Sequence, residues 1–482
     1  MTLSTGTSPA VARALADARP TAFWTDQPGA PQPGDPIAAD TTADLVIVGG
    51  GFTGLWSAWR ALDRDPGLDV LVLEAEHVGF GASGRNGGFI SSSLTHGIAH
   101  GSHLWPGDLD ALHAEGEQNL AELVAQVRAA GIDCDLQTVG KTSIAVEPWQ
   151  VDALGEAAEL ARSFGEDVEY QDAAAIQADV HSASFLAGLR ARGGTAMVDP
   201  AKLAWGMARV LRERGARIAE GSPVASFEKT APRSGGRTGT GAGIRMRVNG
   251  HTVSARQAVV ATAAYPSPLK RLRTWIMPLY DHVLMTEPLS AAQLASIGWN
   301  DRQGLTDAGN QFHYFRLSAD DRILWGGWDA LYYRGGRVSP ALEQNDSSHE
   351  LLARQFFETF PQLADVRFTH RWAGPIDSTT RFTAAYGTAF GGDLAYAAGH
   401  TGLGVGAARF SADVALDLLA GEPTSRTRYE IVRKRPFPIP PEPFRNPIVQ
   451  FTRSRMIAAD DNAGRRGLWL RTLDRFGLGF NS

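Results

Sequence analysis

The chain has 482 residues, 43% hydrophobic and 20% charged, with a formal net charge of −6. That is apolar material for two cores and too acidic a balance for a nucleic-acid footprint, so no nucleic-acid partner is expected. One cysteine, Cys134, excludes an intramolecular disulfide and a cysteine-based metal cluster, and with no signal-peptide pattern and no long apolar run the expectation is a soluble cytoplasmic protein without a membrane span or a metal.

The start of the chain, to about Thr42, is rich in Ala, Pro, Thr and Gly and reads as an arm that Phe23-Trp24 anchors to the surface. An apolar run, Leu45-Val46-Ile47-Val48, then meets Gly49-Gly50-Gly51-Phe52-Thr53-Gly54, and Leu55, Ala58, Trp59 and Leu62 mark one helix face behind it. A second apolar run, Val70-Leu71-Val72-Leu73, ends at Glu74. Strand, glycine turn, helix, strand and terminal acid form the dinucleotide-binding fingerprint. Gly49 permits the tight turn, Gly51 lets backbone approach a pyrophosphate, and Gly54 lets helix and strand pack closely. The helix N-terminus offers N–H groups and a positive dipole end to the phosphates, and Glu74 can accept hydrogen bonds from a ribose diol.

The next stretch, Val78-Gly79-Phe80-Gly81-Ala82-Ser83-Gly84-Arg85-Asn86-Gly87-Gly88, holds five glycines and little bulk. A nicotinamide enzyme would run straight into a helix here. A flavin must lay its ribityl chain and ring along the protein, so backbone has to come close for longer. Ser83 and the N–H groups after it suit phosphate or ribityl oxygens, and Arg85 suits pyrophosphate charge. FAD is therefore favoured over a nicotinamide.

From about His100 a helical pattern runs through Leu109, Leu112, Leu120, Leu123, Val124 and Val127 and stops at Gly131; a strand, Thr142 to Val146, and more helix follow. Asp199 is placed as an N-cap with Pro200 at the first helical position, and Gly215 closes that helix. Arg217 to Glu220 reads as a strand, residues 229–243 as a low-complexity loop, and Asn249-Gly250 as a hairpin turn. Ala258 to Thr262 is a buried strand whose end should lie near the cofactor. Phe312 to Arg316 and Ile323 to Trp328 read as neighbouring strands of a large sheet, on which alternate residues face a core or a pocket. Finally Leu394 to Ala398 is a strand, Gly399 to Gly406 a glycine-rich turn, and Val405, Ala408, Ala412, Leu416 and Leu419 a helix stopped by Gly421. A second helix N-terminus thus leaves a strand end, where a positive dipole stabilises charge on a reduced flavin ring.

These motifs, with Asp199-Pro200-Ala201-Lys202-Leu203, Gly399-His400-Thr401-Gly402-Leu403-Gly404, Arg371-Trp372-Ala373-Gly374-Pro375-Ile376-Asp377 and the tail Leu473 to Phe480, resemble the D-amino-acid oxidase/glycine oxidase superfamily of FAD-dependent oxidoreductases, in its γ-glutamylputrescine oxidoreductase and aminophosphonate oxidoreductase branch. The resemblance covers nearly the whole length. It implies a fold of class α/β + α+β, a Rossmann-type FAD-binding domain interleaved with a substrate domain on a large mixed or antiparallel sheet. The expected division is an N-terminal arm (1–42), an FAD-binding domain (43–100, 193–268 and 371–425), a substrate domain (101–192 and 269–370) and a C-terminal tail (426–482).

By the same resemblance FAD is held, non-covalently, by Gly49, Gly51, Phe52, Thr53, Gly54, Glu74, Ala75, Ala82, Ser83, Arg85, Asn86, Gly87, Gly88, Val224, Thr262, Gly402, Leu403 and Gly404, with the backbone of Val224 at the adenine. Asp377 to Phe382 lacks the cysteine that joins FAD in sarcosine oxidases, and Arg85-Asn86 stands where dimethylglycine-type enzymes carry a histidine. A substrate amine, primary or secondary and drawn from amino acids, polyamine derivatives or aminophosphonates, would lose hydride to flavin N5, and the imine would be hydrolysed. His400 is the candidate catalytic side chain, though positioning of substrate over the ring supplies much of the rate and no acid/base dyad is required. Tyr314, Arg316, Trp328, Tyr332 and Trp372 are the substrate-contact candidates. An anion clamp would draw on Arg316, Arg334, Arg337, Arg371 or Arg381, and a polyamine site on Asp281, Glu287, Asp329 or Asp377. The five lysines (141, 202, 229, 270 and 434) leave residues 312–337 without the roof lysine that activates oxygen in sarcosine oxidase, so O2 or another acceptor can reoxidise the flavin. The alternative function is a flavin-holding subunit of a larger dehydrogenase complex with no amine oxidation of its own.

Overall fold

The turn at Gly49 is the point on which the first sheet is built. In the computed structural model, which describes residues 8–230 and 243–478, Thr41–Val48 runs parallel to Val70–Leu73 on one side and to His251–Val260 on the other, with Val48 level with both Leu73 and Val260. The sheet continues through Arg217–Ala219 at one edge and through Leu394–Ala398 and the antiparallel Ala385–Ala389 at the other. Its near-continuous Val, Ile and Leu composition fits strands covered on both faces. The helices Phe52–Arg64 and Gly404–Ala420 pack together on one face through residues such as Trp56, Ala408 and Ala412. A hairpin, Val224–Lys229 with Ile244–Val248, extends the His251–Val260 strand through Asn249 and Gly250, both at positive φ. The low-complexity loop at 229–243 falls mostly outside the described residues.

The second sheet also has eight strands and is drawn from two stretches of chain. Its order is Phe368–Ser378, Met277–Thr286, Ile323–Gly327, His313–Leu317, Gly304–Asp307, Lys141–Ala145, Ala187–Ala191 and Val168–Gln171. Pairing is antiparallel except between Gly304–Asp307 and Lys141–Ala145. Residues 371–378, grouped with the cofactor domain on sequence grounds, continue the strand from Phe368 as the edge of this second sheet, because no turn interrupts the run and ten residues of Met277–Thr286 pair with it.

Period-two alternation sorts this sheet into two faces. Phe315, Trp325 and Leu305 go to a core closed by the helix Asp346–Thr359 through Phe356 and by its C-cap residue Phe360. Burying rings of that size stabilises by about 3 kcal/mol each. The register Val283–Gly326–Tyr314–Thr306–Ser143 defines the opposite face. That face looks toward the first sheet: Val283, Met285, Leu324 and Trp372 cluster with Phe23, Trp24 and Ala201. A short pair, Phe89–Ser91 with Thr195–Met197, lies where the chain passes between the two sheets.

Candidate functional site

Three strand ends converge at Gly49, Glu74 and Ala261. Gly49 has φ +117°, and a Cβ there would stand 2.4 Å from the Ala261 carbonyl oxygen. At Gly54 a Cβ would lie 1.9 Å from the Gly49 carbonyl oxygen, so the helix Phe52–Arg64 sits against the turn only because both positions lack side chains. Gly51 is the N-cap, and the first turn, with Phe52 and Thr53, has N–H groups without carbonyls inside the helix. One is taken: Phe52 N–H donates to Ser83 Oγ at 2.9 Å. Glu74 turns back toward the same place, accepting from Gly50 N–H at 2.6 Å and Glu76 N–H at 2.9 Å. Burial raises its pKa. Ala75 beside it is exposed, and Val224 is half-buried at the start of its strand, opposite Val248.

The loop after Glu74 is held from both sides. Gly79 N–H bonds the Gly50 carbonyl, and a Cβ on Gly84 would stand 2.3 Å from the Gly79 carbonyl oxygen. Asn86 is structural: its amide donates to the carbonyls of Ala82 and Ser83, and its oxygen accepts from Gly88 N–H at 2.8 Å. The Asn86 carbonyl receives the indole N–H of Trp24 at 2.9 Å, which is how the N-terminal arm is anchored. Arg85 pairs with Glu343 and donates through Nε to the Phe80 carbonyl at 2.7 Å, with its guanidinium over the Phe80 ring. Its charge is thus matched by a carboxylate far off in sequence. Gly87 lies under the ring of Tyr314, 2.7 Å from where its Cβ would be.

At the other end, Thr379, Thr401 and Gly399 knit the turn before the helix Gly404–Ala420: Thr379 N–H donates to Thr401 Oγ1, and Thr401 Oγ1 donates to the Gly399 carbonyl. Gly402 has φ +90° and open space where a Cβ would be, and Leu403 is the N-cap. Asp377 Oδ2 accepts from Gly399 N–H at 2.6 Å. His400, also behind this turn, is buried between Ser411 and Asp377. Thr262, next to the Ala261 strand end, has a buried hydroxyl with no hydrogen-bond partner among the described residues.

The five substrate-contact candidates separate. Trp372 is fully buried and donates to the Arg85 carbonyl at 2.9 Å. Arg316 is buried against the carbonyls of Val198, at 2.7 Å, Leu317 and Gly88. Trp328 stacks on His313 and therefore belongs to the far side of the sheet. Tyr332 donates to Glu442 in the C-terminal segment at 3.0 Å. Tyr314 keeps accessible surface on the face toward the first sheet, and its hydroxyl donates to Asp281 Oδ2 at 2.5 Å. Enclosure pushes the Asp281 carboxyl up to about 6 despite that bond.

Two residues that sequence reasoning did not nominate lie beside this region. The ring of His96, whose pKa burial lowers to about 3, bonds the Thr401 backbone and feels the charge of Lys141. Lys141 begins a strand of the second sheet, level with Gly304, and burial lowers its pKa. No local pattern marks either; the scarcity of lysine is the one hint that a buried one has a purpose.

Known proteins resemble the chain over most of its length. The family described as FAD dependent oxidoreductase (DAO) matches residues 44–418. The γ-glutamylputrescine oxidoreductase of Escherichia coli (strain K12) is 31% identical over 417 residues, covering 84% of this chain and 90% of that one. The probable oxidoreductase OrdL of Haemophilus influenzae is 26% identical over 411 residues, covering 80% and 85%. Among solved structures, glycine oxidase from Geobacillus kaustophilus matches with a TM-score of 0.64 at 20% identity, over 80% of this chain and 96% of that one. The chain belongs to the DAO family of FAD-dependent oxidoreductases and is an amine or amino-acid oxidoreductase.

Proposed function

We propose that the protein oxidises a primary or secondary amine to an imine, which water hydrolyses, in the gap between the Gly399–Gly404 turn and the Tyr314 face of the second sheet. The observation that carries this reading is the pair of glycine turns, before Phe52 and before Gly404, that each open a helix, with the Thr262 hydroxyl buried at the strand end next to Gly49 without a hydrogen-bond partner among the described residues. An orphaned buried hydroxyl costs about 1–3 kcal/mol unless a ligand satisfies it, so the residues present fit an extended cofactor.

In this reading FAD would be held by Gly51, Phe52, Thr53 and Ser83 at its pyrophosphate, by Glu74, Ala75 and Val224 at its adenosine, and by Ala82, Asn86, Gly87, Gly88 and Thr262 toward its ring. Bound there, it supplies a two-electron acceptor that takes hydride from the carbon next to nitrogen. The protein's own contribution is placement. The N–H groups that open the helix at Gly404, at its positive end, favour negative charge across from them, while the Leu403 N–H is taken by the His400 carbonyl. Tyr314 and Asp281 orient the amine on the opposite side, and the packing of Trp372, Trp24 and Phe23 keeps water from the flank. Alignment of this kind accounts for a large part of a rate enhancement without proton transfer by a side chain.

The test is anaerobic titration of the holoenzyme with N-methyl amino acids, polyamines, γ-glutamylated diamines and aminophosphonates. Bleaching of the yellow colour by at least one amine is expected. Flavin that no amine reduces, while dithionite does, overturns the reading.

A further inference from the structure

The face of the second sheet that looks toward the glycine turns carries a carboxylate that makes no ion pair among the described residues. Asp281 is enclosed yet retains accessible surface, and Tyr314 holds one of its oxygens at 2.5 Å. The charge that reaches it from Asp329 has the same sign. Its position over the loop follows from register: its cross-strand neighbour Gly374 would place a Cβ 3.5 Å from Arg85 Cβ, and Tyr314 lies on Gly87.

The arginines that an amino-acid carboxylate would require are engaged elsewhere. Arg316 is bound to backbone carbonyls, Arg371 pairs with Asp346 at 2.7 Å, Arg381 caps carbonyls that include Ile431, and Arg85 is neutralised by Glu343. Arg334 and Arg337 are exposed. Of the four acids that might serve an amine, Asp329 bonds Ser348 and Arg453, Asp377 bonds Gly399 N–H, and Glu287 bonds Arg367 N–H. Asp281 is the one left facing the site.

An enclosed, unpaired carboxylate is costly, and a cation from outside relieves that cost. An α-amino acid would bring its own carboxylate against it, a like-charge contact that selects against such substrates. The nitrogen that loses hydride from its neighbouring carbon must itself be neutral, because its lone pair drives that loss. A cation held at Asp281 therefore belongs to another nitrogen.

We propose that Asp281, oriented by Tyr314, binds a second, cationic nitrogen of the substrate, so that the site takes aliphatic diamines and polyamines in preference to α-amino acids. This rests on the amine-oxidising reading above. Tyr314 donates its hydrogen to one oxygen, and the backbone N–H groups of His282 and Gly327 also reach the carboxylate; these neutral donors leave its charge to be matched by the ammonium.

The holoenzyme is titrated anaerobically with putrescine, n-butylamine, glycine and sarcosine, following both perturbation and bleaching of the flavin band, with melting temperature as a second measure of binding. The wild type is expected to bind putrescine about tenfold or more tightly than n-butylamine or either amino acid. In Asp281→Asn the ratio of putrescine to n-butylamine affinity falls to about one, and Tyr314→Phe reduces it several-fold. Asp281→Ser gives the same readout should the asparagine variant fold poorly. Retention of the wild-type ratio in both Asp281 variants overturns the proposal, as does tighter binding of glycine or sarcosine than of putrescine. If the flavin perturbs and melting rises with putrescine while nothing bleaches, the amine-oxidising reading fails and the cation site stands.

Discussion

His400 stands between two partners behind the Gly399–Gly404 turn, one ring nitrogen 3.0 Å from Ser411 Oγ and the other 3.6 Å from Asp377 Oδ2. Tyr386 reaches the same serine at 3.1 Å, and Asp377 also receives Gly399 N–H. The imidazole braces the turn from behind, which makes it a positioning residue. His400→Leu is therefore expected to weaken FAD binding by about tenfold, the size of one lost hydrogen bond, and to shift the flavin midpoint potential, while the KM for amine moves little. A raised KM at unchanged FAD affinity and potential would identify direct contact with substrate instead.

The dinucleotide half was legible because its demands fall on backbone. Only glycine tolerates φ +117° at position 49 or the 1.9 Å approach at position 54, and the caps at Asp199 and Gly421 are equally local. The second sheet was legible as strands but not as a site. Alternation says that Tyr314 and His313 point opposite ways, and nothing in the strand says which side meets the helix Asp346–Thr359 and which looks toward the first sheet. Trp328 and Tyr314 therefore looked alike. Arg85 suited a phosphate by composition, and its carboxylate partner, Glu343, belongs to a segment no local pattern connects with it.

Gly54→Ala tests the close approach directly. The added methyl meets the Gly49 carbonyl, and either the helix moves off the strand or the turn opens. A destabilisation of about 1–3 kcal/mol is expected from overpacking, together with a fall in bound FAD seen as a lower ratio of flavin to protein absorbance. Gly67→Ala, at a loop where the nearest atom is 3.5 Å away, is the control expected to change neither.

Glu343→Gln leaves the Arg85 guanidinium, which is mostly buried, without its countercharge. A loss of about 2–3 kcal/mol is expected in denaturant unfolding, because removing one partner strands the other. FAD affinity should stay within about twofold if Arg85 serves as a strut between loop and sheet. A marked gain in FAD affinity would show that the freed arginine turns to the pyrophosphate.

Cys134, the only cysteine of the chain, is buried in the core beneath the helix Pro200–Glu213, with its thiol pKa pushed up to about 12 by burial. A thiol kept protonated in that way is a poor nucleophile toward a flavin ring. Acid precipitation of the holoenzyme should leave all yellow colour in the supernatant, and a coloured pellet would reverse the expectation of non-covalent FAD.

The pH dependence of stability follows from the buried histidine His349, whose Nε2 lies 3.2 Å from the Trp372 carbonyl oxygen and whose ring meets His282 edge-on. Burial, reinforced by the His282 and Arg371 charges and opposed by Asp346, lowers its pKa to about 3 from 6.5. The folded protein keeps this ring neutral where the unfolded chain protonates it. Its contribution is therefore complete above about pH 6.5 and is lost as pH falls toward 3, by about 1.4 kcal/mol for each pH unit once the unfolded form is charged. Asp281, with its pKa raised to about 6, works the other way: its ionisation costs stability as pH rises from about 4 to 6. The two are separated by substitution. His349→Gln, which keeps a donor for the Trp372 carbonyl, should gain on the wild type by about 1.4 kcal/mol per unit between pH 6 and 4, whereas Asp281→Asn should gain on it over the same interval only as pH increases. Denaturant midpoints of the three proteins across that range measure both slopes, and a flat difference for His349→Gln would mean that the imidazole is charged inside the folded protein.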